Sequence, residues 1–385
     1  MKIVIAPDSF KGSLSAVDVA FHMEKGIKKA FTEVETVLVP VADGGEGTME
    51  SLVAATKGKV IDVTVKGPLL KSVKAAYGVL GDGETCVVEM ASASGLNLIA
   101  DAERDPMLTT TYGTGELIKA ALEQGYRKFI LAIGGSATND GGAGMLQALG
   151  MRLFDQEGKV IGFGGAELGR VAQLDDAEFD SRIAESEFLI ASDVQNPLIG
   201  PEGSSYVFGP QKGATAKMVK QLDAYLTHWA DLIEEKQGVR LHDKPGAGAA
   251  GGIGGAFQAF FPSTMRRGID IVIEYTDLEK KLAGADFVLT GEGQIDFQTA
   301  SGKAPMGVAE VAQKQGIPVF AIAGSIGGGI EQLYQYGITS VFSLVNAPMT
   351  LDEAISGCDQ YLQFTTEQIA RTFFASSLNK KSASL

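Results

Sequence analysis

The sequence predicts an α/β protein. A doubly wound, parallel-sheet domain is built from both ends of the chain, residues 1–60 and 283–385. It carries a second α/β domain, with a mixed sheet, inserted over 61–282. Three observations point there. Short apolar, β-branched runs near the two ends lead into glycine- and acid-rich loops and then into amphipathic stretches, the pattern of buried parallel strands alternating with helices. The middle of the chain carries shorter alternating runs separated by Gly, Asp and Pro, which suit antiparallel strands. Glycine accounts for 49 of 385 residues, well above the usual share of about 7%. The glycines cluster between apolar runs, where a chain needs positive φ or close approach to a ligand.

Ile3–Ala6 reads as the first buried strand. Ser15 is placed to cap the next helix with Asp18 three residues on, and Ala16, Ala20, Met23, Ile27 and Ala30 form its apolar stripe. Val37–Val41 is a second strand, ending in Asp43-Gly44-Gly45-Glu46-Gly47 ahead of a helix from Thr48. Val60–Val65, Val73–Val79 and Cys86–Met90 are the alternating runs of the inserted domain. A helix over Leu117–Leu122 stops at Gly125. Strand Phe129–Ile133 then enters Gly134-Gly135-Ser136-Ala137-Thr138-Asn139-Asp140-Gly141-Gly142. A helix ends at Gly150, residues 151–167 form a hairpin with a glycine-rich return, and strand Phe188–Ala191 leads to Ser192-Asp193-Val194-Gln195-Asn196-Pro197. Residues 214–235 read as an amphipathic helix in which Trp229 packs. The alternation of the chain ends then resumes. Strand Phe287–Leu289 precedes a loop Thr290-Gly291-Glu292-Gly293, helix 304–315 precedes strand Val319–Ile322, and strand Val341–Val345 precedes helix 352–372 and a polar tail 376–385.

The formal charge is −14, which argues against nucleic acid and acidic membranes as partners. Cys86 and Cys358 lack metal-ligand spacing, and His22, His228 and His242 are scattered, so neither a zinc site nor a disulfide framework is expected. No stretch approaches a membrane span, and the N-terminal apolar run is too short for a signal peptide. A cytoplasmic protein is the expectation.

In an open parallel sheet, ligands bind beyond the carboxyl ends of the strands where strand order reverses. With order 2-1-3-4-5, Asp8, Asp43 and Glu292 share one sheet edge. Like charges so placed need a cation, and magnesium suits a few carboxylates plus phosphate oxygens. As single residues, Asp8 and Asp43 also suit helix caps or turns. Asn139 and Asp140, and Asp193 with Asn196, follow strands of the inserted domain in the same way, and Ser136 lies in a stretch that can aim backbone N–H groups at an anion. Lys11, Lys212 and Lys303 sit among glycine or serine, where a point charge can hold a phosphate or carboxylate. Two motifs fail on context. Gly246–Gly251 matches a dinucleotide fingerprint, yet His242-Asp243-Lys244-Pro245 precedes it where a strand is required. Gly293 to Gly302-Lys303 resembles a P-loop, but the spacing is too long and Ala304 stands where a Ser or Thr is needed.

Several of these segments together resemble the type I bacterial glycerate kinases: Ala6-Pro7-Asp8-Ser9-Phe10-Lys11-Gly12-Ser13, Ala42–Thr48, Gly134–Gly142, Ser192-Asp193-Val194 with Asn196-Pro197-Leu198, Gly209–Gly213, Gly246–Gly255, and Thr290–Gly293 with Asp296, Gln298 and Thr299. The resemblance spans nearly the whole chain. It implies transfer of the γ-phosphate of ATP to D-glycerate, usually at the 2-hydroxyl, and a flavodoxin-like domain with a second domain inserted. On chemical grounds Asp193 or Asp43 is expected as general base, and Asp8 and Glu292 as holders of Mg2+. Lys11 or Lys212 is expected against the glycerate carboxylate or the moving phosphoryl group. Ser9, Gly44, Gly45, Gly291, Gly293 and Lys303 complete the expected substrate contacts, in a cleft between the two domains. Phosphorylation of the 3-hydroxyl or of another hydroxy acid, and phosphate binding without turnover, are the competing readings.

Overall fold

The computed structural model describes residues 1–375 apart from 298, 300 and 301. Gln298, Ser301 and the polar tail 376–385 lie outside the described residues. The strands in chain order are β1 (Lys2–Ile5), β2 (Glu35–Leu38), β3 (Lys59–Lys66), β4 (Ser72–Val79), β5 (Thr85–Glu89), β6 (Lys128–Ala132), β7 (Arg152–Phe154), β8 (Gln173–Asp175), β9 (Glu187–Ala191), β10 (Ser263–Arg266), β11 (Phe287–Ile295), β12 (Val319–Ile326) and β13 (Ile338–Ser343).

The chain separates into two compact units. One comprises Met1–Asp43, Glu50–Thr56 and the described chain from Ile269 onward, and the other comprises Gly44–Met49 and Lys57–Gly268. The first holds a five-stranded sheet, β13-β12-β11-β1-β2, with every neighbouring pair parallel. Numbered along the chain within this unit, that is the common 2-1-3-4-5 order, the condition under which Asp8, Asp43 and Glu292 fall on neighbouring strands. Ile3 and Ile5 of β1 are fully buried and pack with Val19, Met23 and Ile27 of the helix Ala16–Ala30 and with Leu362 and Ile369 of the helix Cys358–Phe373. Each such side chain contributes about 1.5–3 kcal/mol when fully removed from water. Ser15 caps the first of these helices by accepting from Asp18 N, while the Asp18 carboxylate takes the Ser15 hydroxyl hydrogen. The expected helix over 352–372 is two, Leu351–Ser356 and Cys358–Phe373, which break at Gly357.

The second unit holds a six-stranded sheet, β10-β9-β6-β5-β4-β3. β3, β4 and β5 pair antiparallel, whereas β5-β6, β6-β9 and β9-β10 are parallel. The sheet is therefore mixed, as expected. β5 is buried along its whole length and β3 alternates with solvent, which is the difference between a central and an edge strand. Phe129 and Phe188 stack across the β6-β9 pair with centroids 4.9 Å apart. Trp229 is buried in the long helix Ala216–Gln237. β7 and β8 form a small separate ribbon. The sequence reading did not anticipate β10 or the helices Ile253–Phe260, Gly268–Tyr275 and Leu278–Leu282, because glycine-rich and short polar segments hide their periodicity. Among the described residues no helix is long and apolar enough to cross a membrane.

One expectation is overturned in a way that bears on the site. Gly291, Glu292 and Gly293 do not form a loop, because β11 runs straight through them to Ile295. β12 likewise extends to Ile326, and the two strands stay paired over Gly291↔Ile322 and Glu292↔Ala323. A Cβ at position 291 would lie 2.2 Å from the Ile322 carbonyl oxygen, so glycine is required there by the close approach of two strands.

Candidate functional site

Backbone pairing in the first unit continues past the named end of β1 and delivers three acids to one sheet edge. Ala6 N donates to Leu289 O, Asp8 N donates to Gly291 O, and the Thr290 hydroxyl donates to Ala6 O. On the other side Val39 N donates to Ile5 O and Val41 N to Pro7 O. Asp8 thus follows β1, Asp43 follows β2, and Glu292 projects from β11 between them and β12.

Asp8 is buried, and its Oδ1 accepts from Ser9 N at 2.5 Å. Burial, then the negative charge of Asp43 and to a lesser degree that of Glu292, push its carboxyl up to about 8, with the Ser9 N–H pulling the other way. Glu292 is also raised, chiefly by burial. The Thr299 hydroxyl at 2.7 Å and Lys303 Nζ at 3.4 Å hold it down. Lys11 is exposed next to Gly12, and a Cβ at Gly293 would sit 3.4 Å from the Lys11 backbone nitrogen. Asp8, Ser9, Lys11, Asp43, Gly291, Glu292, Gly293 and Lys303 therefore all lie in the strand-end region of one sheet. Thr299, which the sequence reading passed over as a site residue, belongs with them. Its signal was a hydroxyl seven residues from Glu292 inside a glycine-rich stretch.

The fit to magnesium follows from these observations. Among the described residues no group of three or more His, Cys, Asp or Glu side chains is assembled to hold a metal by itself. Magnesium characteristically takes one or two carboxylates and fills its other positions with water and phosphate oxygens. A buried aspartate destabilised by two neighbouring carboxylates fits such a cation.

The second unit treats its polar groups differently. Asp140 is fully buried, and its Oδ2 accepts from Thr111 N (2.7 Å), Thr111 Oγ1 (2.9 Å), Thr110 Oγ1 (3.2 Å) and Gly144 N (3.3 Å), while Oδ1 accepts from Gly142 N (3.2 Å). Burial raises its carboxyl, and these donors pull it back. Asn139 is equally buried, donating to Ser205 Oγ and accepting from Ser204 Oγ. Both are committed to protein partners that fasten the 134–142 loop. Its backbone is fastened too. Gly134 N donates to Gly44 O, Ala137 N to Ser94 O, Gly141 N to Gly251 O, and Gly141 O accepts from Trp229 Nε1. Of the nine backbone N–H groups in the expected cradle, those of Gly134, Ala137, Gly141 and Gly142 thus donate to protein acceptors.

The Gly246–Gly251 segment, which matches a dinucleotide fingerprint in the wrong context, packs on this loop. Gly251 has φ +76°, and a Cβ there would lie 1.9 Å from Thr138 O. Ala250 beside it is also left-handed, with φ 51°. Gly44 and Gly45 belong to this unit, with Gly45 against Gly134 and Gly44 against Ala191. Lys212 is 1% exposed and donates to Ser136 Oγ and Thr138 O. Asp193 is exposed beyond β9, and its Oδ1 accepts from Gly268 N at 3.2 Å. Asn196 donates to Glu202 O.

Comparison with known proteins agrees across the chain. The model of the glycerate kinase family matches residues 3–374. A glycerate kinase of Bacillus subtilis (strain 168) is 50% identical, covering 96% of this chain and 97% of that enzyme. A glycerate 2-kinase of Escherichia coli (strain K12) is 49% identical, covering 97% of this chain and 98% of that one. A crystal structure from Salmonella typhimurium LT2, provisionally named glycerate kinase 2, superposes with a TM-score of 0.87 at 47% identity, covering 98% of this chain and 99% of that one.

Proposed function

The chain belongs to the glycerate kinase family and phosphorylates glycerate, and on that footing we propose that it moves the γ-phosphate of ATP to the 2-hydroxyl of D-glycerate with magnesium. The choice of the 2-hydroxyl is supported by the name of the Escherichia coli relative, a glycerate 2-kinase. The strand order of the first unit supports a flavodoxin-like, doubly wound domain. Two buried cysteines without a disulfide suit a cytoplasmic protein.

The observation that carries the reading is the acid cluster of Asp8 and Asp43, which follow β1 and β2, with Glu292 on the neighbouring β11, and with Asp8 driven up to about 8. Phosphoryl transfer depends on charge neutralisation and alignment more than on covalent catalysis. Asp8, with Glu292, would hold magnesium. The bound ion would supply positive charge against the phosphate oxygens. Lys303 favours the ionised form of Glu292 against the effect of burial, and the Thr299 hydroxyl donates to it. Lys11, exposed beside Gly293, is suited to meet a carboxylate or phosphoryl oxygen directly, with Ser9 adjacent. Asp43 and Asp193 are the two acids suited to accept the hydroxyl proton. Asp43 lies within the acid cluster, and Asp193 is solvent-accessible at the end of β9. Asn139 and Asp140 serve by holding the 134–142 loop in shape around Ser136.

The test is ADP release with D-glycerate, ATP and magnesium, with the product position read by phosphorus NMR. Turnover that requires both glycerate and magnesium and yields 2-phosphoglycerate is expected. A 3-phosphoglycerate signal would overturn the regiochemistry, and undiminished turnover in EDTA would overturn the role given to the acid cluster.

A further inference from the structure

Lys212 lies in the short turn Pro210–Lys212 and is among the largest fully buried side chains of the molecule. A lysine so buried is ordinarily matched by a carboxylate. Here the Nζ donates instead to two neutral acceptors, Ser136 Oγ at 2.8 Å and the Thr138 carbonyl at 2.7 Å. Asp140 favours the ammonium through its charge, but its oxygens are taken by Thr110, Thr111, Gly142 and Gly144. An ammonium has three hydrogens and no lone pair, so the Ser136 oxygen accepts from it. The serine's own hydrogen is then turned away from Lys212, and among the described residues no other side chain bonds this hydroxyl. Thr138 Oγ1, in the same loop, is buried with no partner among the described residues. The polar groups around Lys212 are not satisfied by the protein alone.

We infer that Lys212 is a positioning residue, fixing Ser136 as a one-way hydrogen-bond donor to an anionic oxygen of a substrate: the carboxylate of glycerate or a phosphoryl oxygen of the nucleotide. The inference rests on the phosphotransfer reading above. Burial pushes the lysine down to about 7, and an anion received by Ser136 would offset the cost of keeping it charged. The loop does not depend on Lys212 for its shape, because Asp140, Asn139, Trp229 and Gly251 hold it independently.

The experiment compares wild type, Ser136→Ala, Lys212→Met and the double variant. Turnover is measured, together with the thermal shift given by D-glycerate alone and by magnesium–ATP alone. Lys212→Met should melt at or above the wild-type temperature, since it removes a buried charge. Its kcat/KM should fall on the order of 10²-fold, as for the loss of one aimed donor. The double variant should fall no further than the worse single one, as expected of two groups acting as a unit. The ligand whose thermal shift disappears from both single variants identifies the oxygen: glycerate for the carboxylate, ATP for a phosphoryl group. Lys212→Gln keeps a donor without the charge and should lie between wild type and Met. It replaces Met in the cycle if that variant does not fold. A kcat/KM within about twofold of wild type, losses that multiply in the double variant, or ligand shifts that survive in both single variants would each overturn the inference. A wild type without glycerate-dependent ADP release would sink the kinase reading instead, while the two thermal shifts would still test the serine–lysine pair.

Discussion

The two units of this protein handle buried charge in opposite ways. The first gathers acids beyond the ends of β1 and β2 and on β11 beside them, with Lys303 the base that pairs with Glu292, and the Asp8 carboxyl is pushed up to about 8. The second buries an ammonium, Lys212, among neutral oxygens, and surrounds one of its buried acids, Asp140, with five donors. Physically, the first arrangement invites a cation and the second an anion. On the reading proposed above, magnesium would supply the first and a substrate anion the second. Self-satisfied polar clusters rigidify a loop, whereas unsatisfied ones mark where a ligand completes the structure.

The contrast can be broken most directly at the acids. Either Asp43→Asn or Asp193→Asn should lower kcat by about 10²–10⁴-fold, the usual contribution of a general base, with little change in melting temperature. Steady-state kinetics decides between them, and near-normal turnover in either variant removes that residue from the role.

The rigidity of the second unit predicts the next largest effect. Gly251→Ala would force a Cβ to within 1.9 Å of Thr138 O at a φ of +76°. It should cost at least ~2 kcal/mol, read from denaturant unfolding. Ala250→Gly at the neighbouring left-handed position should change stability by less than ~1 kcal/mol, because relief of backbone strain and added unfolded-state entropy nearly cancel.

The pH dependence of stability should have opposite signs in the two units. Asp8 is raised to about 8, against about 3.9 unfolded. Between those values the folded chain holds the extra proton, so stability is fully present below the lower value and is lost as pH rises to the upper one. Lys212 is lowered to about 7, against about 10.4 unfolded. Across that window the unfolded chain holds the extra proton, so stability rises with pH. Melting curves in EDTA should show Asp8→Asn flattening the fall and Lys212→Met flattening the later rise. Magnesium should stabilise the wild type more than Asp8→Asn near pH 8. Slopes unchanged in both variants would show that neither group is perturbed as described.

Much of the fold was legible in the sequence because buried parallel strands are short, continuous and β-branched, so Ile3–Ala6, Phe129–Ile133 and Phe188–Ala191 announce themselves. What escaped was hidden by glycine. Gly291 and Gly293 suggest a loop, yet both lie inside β11, and at Gly291 the neighbouring strand approaches more closely than a side chain permits. The Gly246–Gly251 motif suggests a dinucleotide that its context excludes, and its glycines Gly248 and Gly251 let one backbone segment pack closely on another.

By itself the sequence determined the strand–helix alternation, the placement of Asp8 and Asp43 at strand ends, and the family. All three are local or motif-borne, written within a few residues of each position. Only the tertiary structure decided which of the expected site residues are already engaged by the protein. Asp140 is engaged by residues 29 and 30 positions away, Asp193 by one 75 away, and Lys212 by residues 74 and 76 away. Burial and hydrogen-bond partners set whether an aspartate or lysine is a brace or a reagent, and both come from chain segments that the sequence around the residue does not contain.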